Sequence, residues 1–411
     1  MPITRQQKIL QMESCRSNNH PQLTLKAWYD QDFQSHRFYR SVHVAGTNGK
    51  GSVIQWLEAL LATRSLTTGS FISPHLISHN ERIRLDGIPI SLDEWEQTYD
   101  ALHPLFSRRQ MTMFEMDLWM AASIFKTRRP DWVLMETGLG GSKDATNILN
   151  YPFGIITRIG MDHMAYLGPT KEEIAKAKAG IIHEDMFIIT AETDPECLRI
   201  FANTCQKQHA WLIQIPDPET YDFSGFWPSG LPEYQKENFL CALTTLEMAG
   251  MSFSTSQLKK AADHFFWPGR FQLLQRDPAI LLDGAHNPDG INALVSTLLK
   301  DGNEKIKPQT IYFSVLADKQ ADEMIERLSD LNAELILVHF DTYRLADLEV
   351  LAQKYNCDIL SFEDLFVRLA RTKRPALICG SLYFAGAVLA KWQQEHPDFQ
   401  IDKSFGFASR K

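Results

Sequence analysis

The chain has 411 residues, 44% of them apolar and 22% charged, with 42 basic against 50 acidic side chains and a formal net charge of −8. That length exceeds one ordinary core, so two domains are predicted. No stretch approaches the roughly 18 consecutive apolar residues of a membrane span, and no basic run suited to a phosphate backbone stands out, which excludes membrane and nucleic acid as expected partners.

The opening MPITRQQKILQMES has neither an apolar signal-peptide core nor a small-residue cleavage site. Cys15, Cys197, Cys205, Cys241, Cys357 and Cys379 form no C-x-x-C pair. They read as reduced thiols of a cytoplasmic protein rather than a zinc or disulfide frame.

The first clear strand is SVHVA (41–45), followed by the glycine-rich turn GTNGKGS and then by a helix in which Val53, Ile54, Trp56, Leu57, Leu60 and Leu61 recur at helical spacing. Further strands are predicted at DWVLME (131–136), FGIIT (153–157) and MFIIT (186–190), with helix-sized intervals between them. This alternation implies a mostly parallel sheet wrapped by helices. The segment YDFSGFWPSGLPEY (221–234) is rich in Pro, Gly and aromatics, and the helical NFLCALTTLEMAG after it argues for a loop inside the first domain. After WPGRFQ a second series begins, with strands expected at 279–283, 309–316, 333–340, 357–362 and 375–380. The expected fold is therefore α/β: an N-terminal domain with a mostly parallel sheet over residues 1–268 and a smaller, Rossmann-like C-terminal α/β domain over residues 269–411, divided where Pro268 adjoins Gly269.

In VHVAGTNGKGSV, glycines at 46, 49 and 51 lie between strand and helix. Backbone N–H groups in such a turn face an anion at the positive end of the helix dipole. Lys50 can meet terminal phosphate oxygens, and the Ser52 hydroxyl can meet a magnesium ion. The usual P-loop would have glycine at Val44 and a hydroxyl residue directly after the lysine, whereas here Gly51 intervenes. Glu136 ends an apolar run, so it should emerge at the carboxyl end of a strand as an oxygen ligand for magnesium. Without further context, Lys178 passes for a solvated helix lysine and Asp283 for a strand-end helix cap.

GTNGKGS resembles the P-loop of the Mur ligase superfamily, and VHVAGTNGKGSV looks most like its folylpolyglutamate synthase and dihydrofolate synthase branch. Similar motifs follow in the family's order: SPHL (73–76), NERIR (80–84), FE (114–115), ETGLGG with DATN (136–147), IGMDH (159–163), KAGI (178–181), PGRFQ (268–272), LDGAHNP (282–288), ADK (317–319) and GSLY (380–383). The resemblance implies that the N-terminal domain is a P-loop-containing ATPase domain of the central Mur ligase type, that the second is a C-terminal-type Mur ligase domain, and that the chain is an ATP-dependent ligase that phosphorylates a folate or dihydropteroate carboxylate and passes the acyl group to the amine of L-glutamate.

By the same resemblance, Gly46, Thr47, Asn48, Gly49, Lys50, Gly51, Ser52, Asn238, Arg270 and Asp283 hold ATP, with Asn238 near adenine and Asp283 on the ribose. Ser73 and His163 join Ser52 and Glu136 around Mg2+. Lys50, Lys178, His163 and Arg270 are the implied catalytic groups, and Lys178 matches a lysine that can be carbamylated. His286, Ser381 and Tyr383 are implied to line the substrate cleft, domain closure is implied to assemble the site, and the family favours a monomer. Ser142, Lys143, Arg158 and Ala177 depart from the family's usual residues. The alternatives are another amino acid ligase of the superfamily or a non-catalytic nucleotide-binding relative. The 45 residues before Gly46 are few for the UDP-binding domain of the wall-precursor ligases, and no N-K-x-D sequence of a GTPase occurs.

Overall fold

A computed structural model describes residues 4–15, 20–228, 230–300 and 302–397. The chain forms two compact units. One comprises residues 1–159, 164–226 and 237–265, and the other residues 160–163, 227–236 and 266–411. The aromatic segment 221–234 is thus divided between them. Among the described residues, no helix is long and apolar enough to cross a membrane.

The first unit is built on an eight-stranded sheet: β1 (Ser41–Ala45), β2 (Thr68–Phe71), β3 (Ile83–Leu85), β4 (Ile88–Pro89), β5 (Trp132–Glu136), β6 (Phe153–Ile156), β7 (Phe187–Thr190) and β8 (Trp211–Gln214), in the order β4-β3-β2-β5-β1-β6-β7-β8. Only the β2–β3 and β3–β4 pairs are antiparallel. All five residues of β1 are buried, as a strand covered on both faces requires. Val44 lies opposite Glu136 of β5 and Ile155 of β6, so the three strands end side by side. That edge is where open α/β sheets bind ligands, at the strand whose neighbours come from both directions of the winding.

The helices that matter here are α1 (Arg5–Ser14), α2 (Gln22–Phe33), α3 (Lys50–Ala62), α4 (Leu92–Arg109) and α5 (Met113–Arg128). The predicted apolar face of α3 is entirely buried, and Trp56 stacks on Phe265 with ring centroids 4.0 Å apart. Each such side chain contributes about 1.5–3 kcal/mol on burial, which fixes the helix start behind the turn.

The second unit carries β9 (Gln272–Arg276), β10 (Ala279–Leu282), β11 (Thr310–Phe313), β12 (Glu334–His339), β13 (Asp358–Ser361) and β14 (Ala376–Cys379), ordered β13-β12-β11-β14-β10-β9. All pairs are parallel except β9–β10. Leu281, Ile311, Phe313, Leu337 and Leu377 pack under Ile291, Leu294 and Val295 of the helix Pro288–Leu298. Strand β9, next to the PGRFQ loop, is an antiparallel edge not foreseen in the sequence. The expected strand at 309–316 ends at Phe313; the Ser314 N–H still donates to Cys379 O at 3.1 Å, and Leu316 instead forms an isolated antiparallel bridge with Leu345.

Candidate active site

The turn after β1 closes tightly on its own unit. Gly46 has φ 145°, and a Cβ there would collide with Thr157 Oγ1 and lie 2.8 Å from Thr157 Cβ. Gly49, at φ 89°, is the residue before the first turn of α3 and has no side chain to cap it. A Cβ on Gly49 would collide with the carboxamide oxygen of Asn238. Thr157 Oγ1 donates to the Asn48 carbonyl at 2.7 Å, and the Thr47 N–H donates to Arg158 O at 3.2 Å. The first N–H groups of a helix have no intrahelical acceptor, so this loop presents donors and a positive dipole end together.

Cations and oxygen ligands converge on the same turn. Lys50 Nζ donates to the carbonyls of Gly46 and Thr47, each at 3.3 Å, and lies 3.9 Å from Glu136 Oε1. The other Glu136 oxygen accepts the Ser73 N–H at 3.0 Å. Glu136 and Ser52 are both buried. Lys178, buried on the helix Lys171–Ala179, donates to the Gly46 carbonyl at 2.6 Å. It is therefore not the solvated helix lysine that composition alone allows. Lys50, Ser52, Ser73, Glu136, Lys178 and Asn238 are thus gathered around one strand end, although their motifs are spread over nearly 190 residues of chain.

The DATN segment folds the loop beyond Glu136. Buried Asp144 accepts from the N–H groups of Gly138 (2.8 Å), Leu139 (2.9 Å) and Thr146 (3.0 Å). Burial leaves its carboxyl raised, opposed only in part by the Thr146 hydroxyl and these donors. Ser142 N–H donates to the Ala177 carbonyl at 2.9 Å, tying this loop to the Lys178 helix. Arg158, one of the unusual residues, directs its guanidinium to Glu237 (2.7 and 2.5 Å) and Thr193 (3.1 Å), and only its carbonyl serves the turn.

In the second unit, Asp283 follows β10 and accepts the N–H groups of Phe271 and Ala285, both at 2.7 Å. Burial raises its carboxyl and Arg270 opposes the rise. The carboxylate therefore joins the PGRFQ loop to the LDGAHNP loop, so a ribose would share oxygens already engaged. Ser381 is buried, and its hydroxyl accepts from the N–H groups of Tyr383 (3.2 Å) and Phe384 (3.4 Å), capping the helix Leu382–Glu395. Tyr383 is exposed, with the Arg344 guanidinium 5.8 Å from its ring centroid.

Two family models match the chain: the Mur ligase middle domain over residues 44–223, and the Mur ligase glutamate ligase domain over residues 269–378. A dihydrofolate synthase/folylpolyglutamate synthase of Bacillus subtilis is 33% identical over 384 residues, covering 84% of this chain and 88% of that protein. The chain belongs to this branch of the Mur ligases. Among solved structures, a Mycobacterium tuberculosis folylpolyglutamate synthase complexed with ADP and AMPPCP superposes with TM-score 0.82 at 26% identity, covering 95% of this chain and 99% of that one. A bifunctional folylpolyglutamate synthase/dihydrofolate synthase with Mn, AMPPNP and L-glutamate bound gives 0.83 at 25% identity, over 95% and 98%.

Sequence reasoning gave no role to Asp162, Asn287 or Lys319 of this Mur ligase chain, which meet in one cluster beside His286. Asp162, in IGMDH, accepts from Lys319 of ADK at 2.5 Å and from Asn287 Nδ2 at 3.1 Å, with His286 Nε2 at 3.7 Å. Burial pushes the Asp162 carboxyl up, but Lys319, His163 and His286 outweigh it and hold the carboxyl well below the usual range. His286 is driven down to about 4 by burial and by Lys319 and Arg270. His163 follows at φ 53°, its ring partly exposed and 3.9 Å from Asp162. Asp162 thus ties three separate motifs together. The signal was there in the ADK and IGMDH matches, but their pairing across 157 residues is a product of folding.

Proposed function

We propose that the protein joins L-glutamate to a folate or dihydropteroate carboxylate at the expense of ATP, as a folylpolyglutamate synthase, a dihydrofolate synthase or both. The observation that carries this is the glycine-rich Gly46–Ser52 turn at the start of α3 with Lys50, Glu136 and Lys178 around it, in a chain that also matches the glutamate ligase domain.

Loop N–H groups and Lys50 hold and neutralise the triphosphate, so the outermost phosphoryl group is in line with an incoming carboxylate oxygen. Ser52, Ser73 and Glu136 offer the hydroxyl and carboxylate oxygens that suit Mg2+, and His163 is assigned to the metal by its motif. The buried Glu136 carboxylate, steadied on one oxygen by the Ser73 N–H, fits such an ion. Magnesium, when bound, offsets charge on the phosphates. A carboxylate oxygen attacks the γ-phosphorus and ADP leaves, giving an acyl phosphate. The glutamate amine then adds to the acyl carbon, the tetrahedral intermediate loses inorganic phosphate, and an amide remains. Arg270 is the guanidinium suited to offset charge on the moving phosphoryl group. Lys178 is proposed to act as its carbamate, which changes a buried ammonium into a carboxylate-like group.

The test is to supply ATP, Mg2+ and L-glutamate with either 7,8-dihydropteroate or a reduced folate monoglutamate. The expected result is a product heavier by one glutamyl residue with at least one acceptor. ATP binding with neither ADP nor a glutamylated product formed from either acceptor would favour the non-catalytic nucleotide-binding alternative.

A further inference from the structure

Three side chains from two segments of the first unit, none of them in the phosphate-binding turn, meet in one cluster. Glu13 lies in the last turn of α1, His75 lies in the segment after β2, and His79 opens the short helix His79–Arg82. One carboxylate oxygen and two imidazole nitrogens from these residues lie within 4.8 Å of one another. Ligand atoms about 2.0–2.2 Å from a tetrahedral cation stand about 3.4 Å apart, so these three would draw in by up to about 1.4 Å on binding.

His79 is already arranged as a ligand. Its Nε2 is 2.7 Å from Asp117 Oδ1, with both side chains buried. Asp117 also accepts from Arg82 Nη1 at 3.3 Å. The Asp117 carboxylate can only accept a hydrogen bond here, so the neutral His79 ring carries its proton on Nε2 and its lone pair on Nδ1. That Nδ1 is buried and has no hydrogen-bond partner among the described residues. A buried acceptor left this way is costly, and a cation satisfies it. Carboxylate behind, imidazole between and metal in front is the arrangement that fixes a histidine ligand's tautomer and raises its basicity. Arg82 Nε donates to Nδ1 of His75 at 3.0 Å, which leaves that ring's proton on Nε2. Metal capture through Nε2 exchanges one neutral tautomer for the other and parts His75 from Arg82, which keeps Asp117.

We propose that Glu13, His75 and His79 form a site for one divalent transition-metal ion of the zinc class, built from different residues than the oxygen ligands around Glu136. Two imidazoles with one carboxylate suit zinc and its neighbours and do not suit magnesium. The ion clips α1 to the segment that begins at Ser73. Lys8 of α1 already contacts Glu96 (2.8 Å) and Asp100 (2.7 Å) of α4, so Glu13 is presented by an anchored helix. The proposal does not depend on the ligase reading.

The test uses the full chain, stripped with a chelator and dialysed against Zn2+ in excess Mg2+, with bound zinc measured by plasma mass spectrometry. The wild type is expected to retain one equivalent. Glu13→Gln and His79→Gln should weaken retention at least tenfold, and Glu136→Gln should leave it unchanged. Glu13 is only partly buried, so its variant keeps the test valid if His79→Gln misfolds, and circular dichroism checks both. No zinc on the wild type, wild-type retention by Glu13→Gln in folded protein, or loss of zinc in Glu136→Gln would each overturn the proposal.

Discussion

Gly46→Ala tests how tightly the turn is built. The added methyl would collide with Thr157 Oγ1, lie 2.8 Å from Thr157 Cβ and approach its backbone nitrogen to 3.1 Å, at a residue with φ 145°. A positive-φ backbone on a residue with a Cβ costs about 1–3 kcal/mol, and forcing a methyl into packed structure costs about 1–3 kcal/mol more. The cheapest relief moves the turn and breaks the Thr157 bond to Asn48. Even the low end of that cost, about 2 kcal/mol, corresponds to roughly 30-fold in affinity. ADP binding measured by calorimetry should therefore weaken by about that factor or more. Adding Thr157→Gly, which removes both side-chain atoms of the clash, should restore part of it. If Gly46→Ala binds ADP within twofold of the wild type, the turn is not the close cradle described here.

Lys50→Ala should nearly abolish both phosphate release and ligation, because it removes the cation at the anion end of the turn; near-normal turnover would contradict that role. Lys178→Met strips the Gly46 carbonyl of its 2.6 Å donor and removes the amine that carries a carbamate, so turnover should fall by about 10²–10³. Intact-mass spectra of the wild type should show an adduct of one carbon dioxide that is lost on acidification. His43, buried, stacked on Tyr151 and bonded to Thr146 at 2.7 Å, is held down to about 3 by burial and then by His183. A depressed folded-state value means the unfolded chain takes the proton first. Stability from His43 is then complete above about pH 6.5 and declines as pH falls toward 3, so His43→Gln should flatten that limb of a urea-midpoint profile by about one proton. Arg158→Ala should change turnover by no more than about twofold, since its guanidinium is occupied by Glu237 and Thr193.

The strand β1, its turn and α3 were legible because an apolar run, three glycines and a clean 3.6-residue period adjoin without interruption. Strand β2 was not. Its sequence TGSF looks like a loop, yet all four residues are buried, and Ser70 donates to the buried Glu58, which Arg84 of β3 also meets. A polar network of that kind leaves no hydrophobic alternation to read. Strand β8 sits at the sheet edge half exposed, so its pattern is weak for the opposite reason. Of the site, the residues within one motif were legible, and so was Glu136 at its strand end. The Ser381 motif was noticed without its bonds to the backbone, and the cap reading of Asp283 did not foresee its bond back to the Phe271 N–H. Pairs such as Asp162 with Lys319, or His79 with Asp117, exist only once distant segments pack, and no local spacing encodes them.

The most direct measurement follows the oxygen atoms. With oxygen-18 in the acceptor carboxylate, phosphorylation leaves one labelled oxygen bridging carbon and phosphorus, and attack by the glutamate amine breaks the carbon–oxygen bond. The released inorganic phosphate should therefore carry one label per amide formed, detected by mass spectrometry. Unlabelled phosphate accompanying normal amide formation would contradict the acyl phosphate and with it the role assigned to the turn after β1.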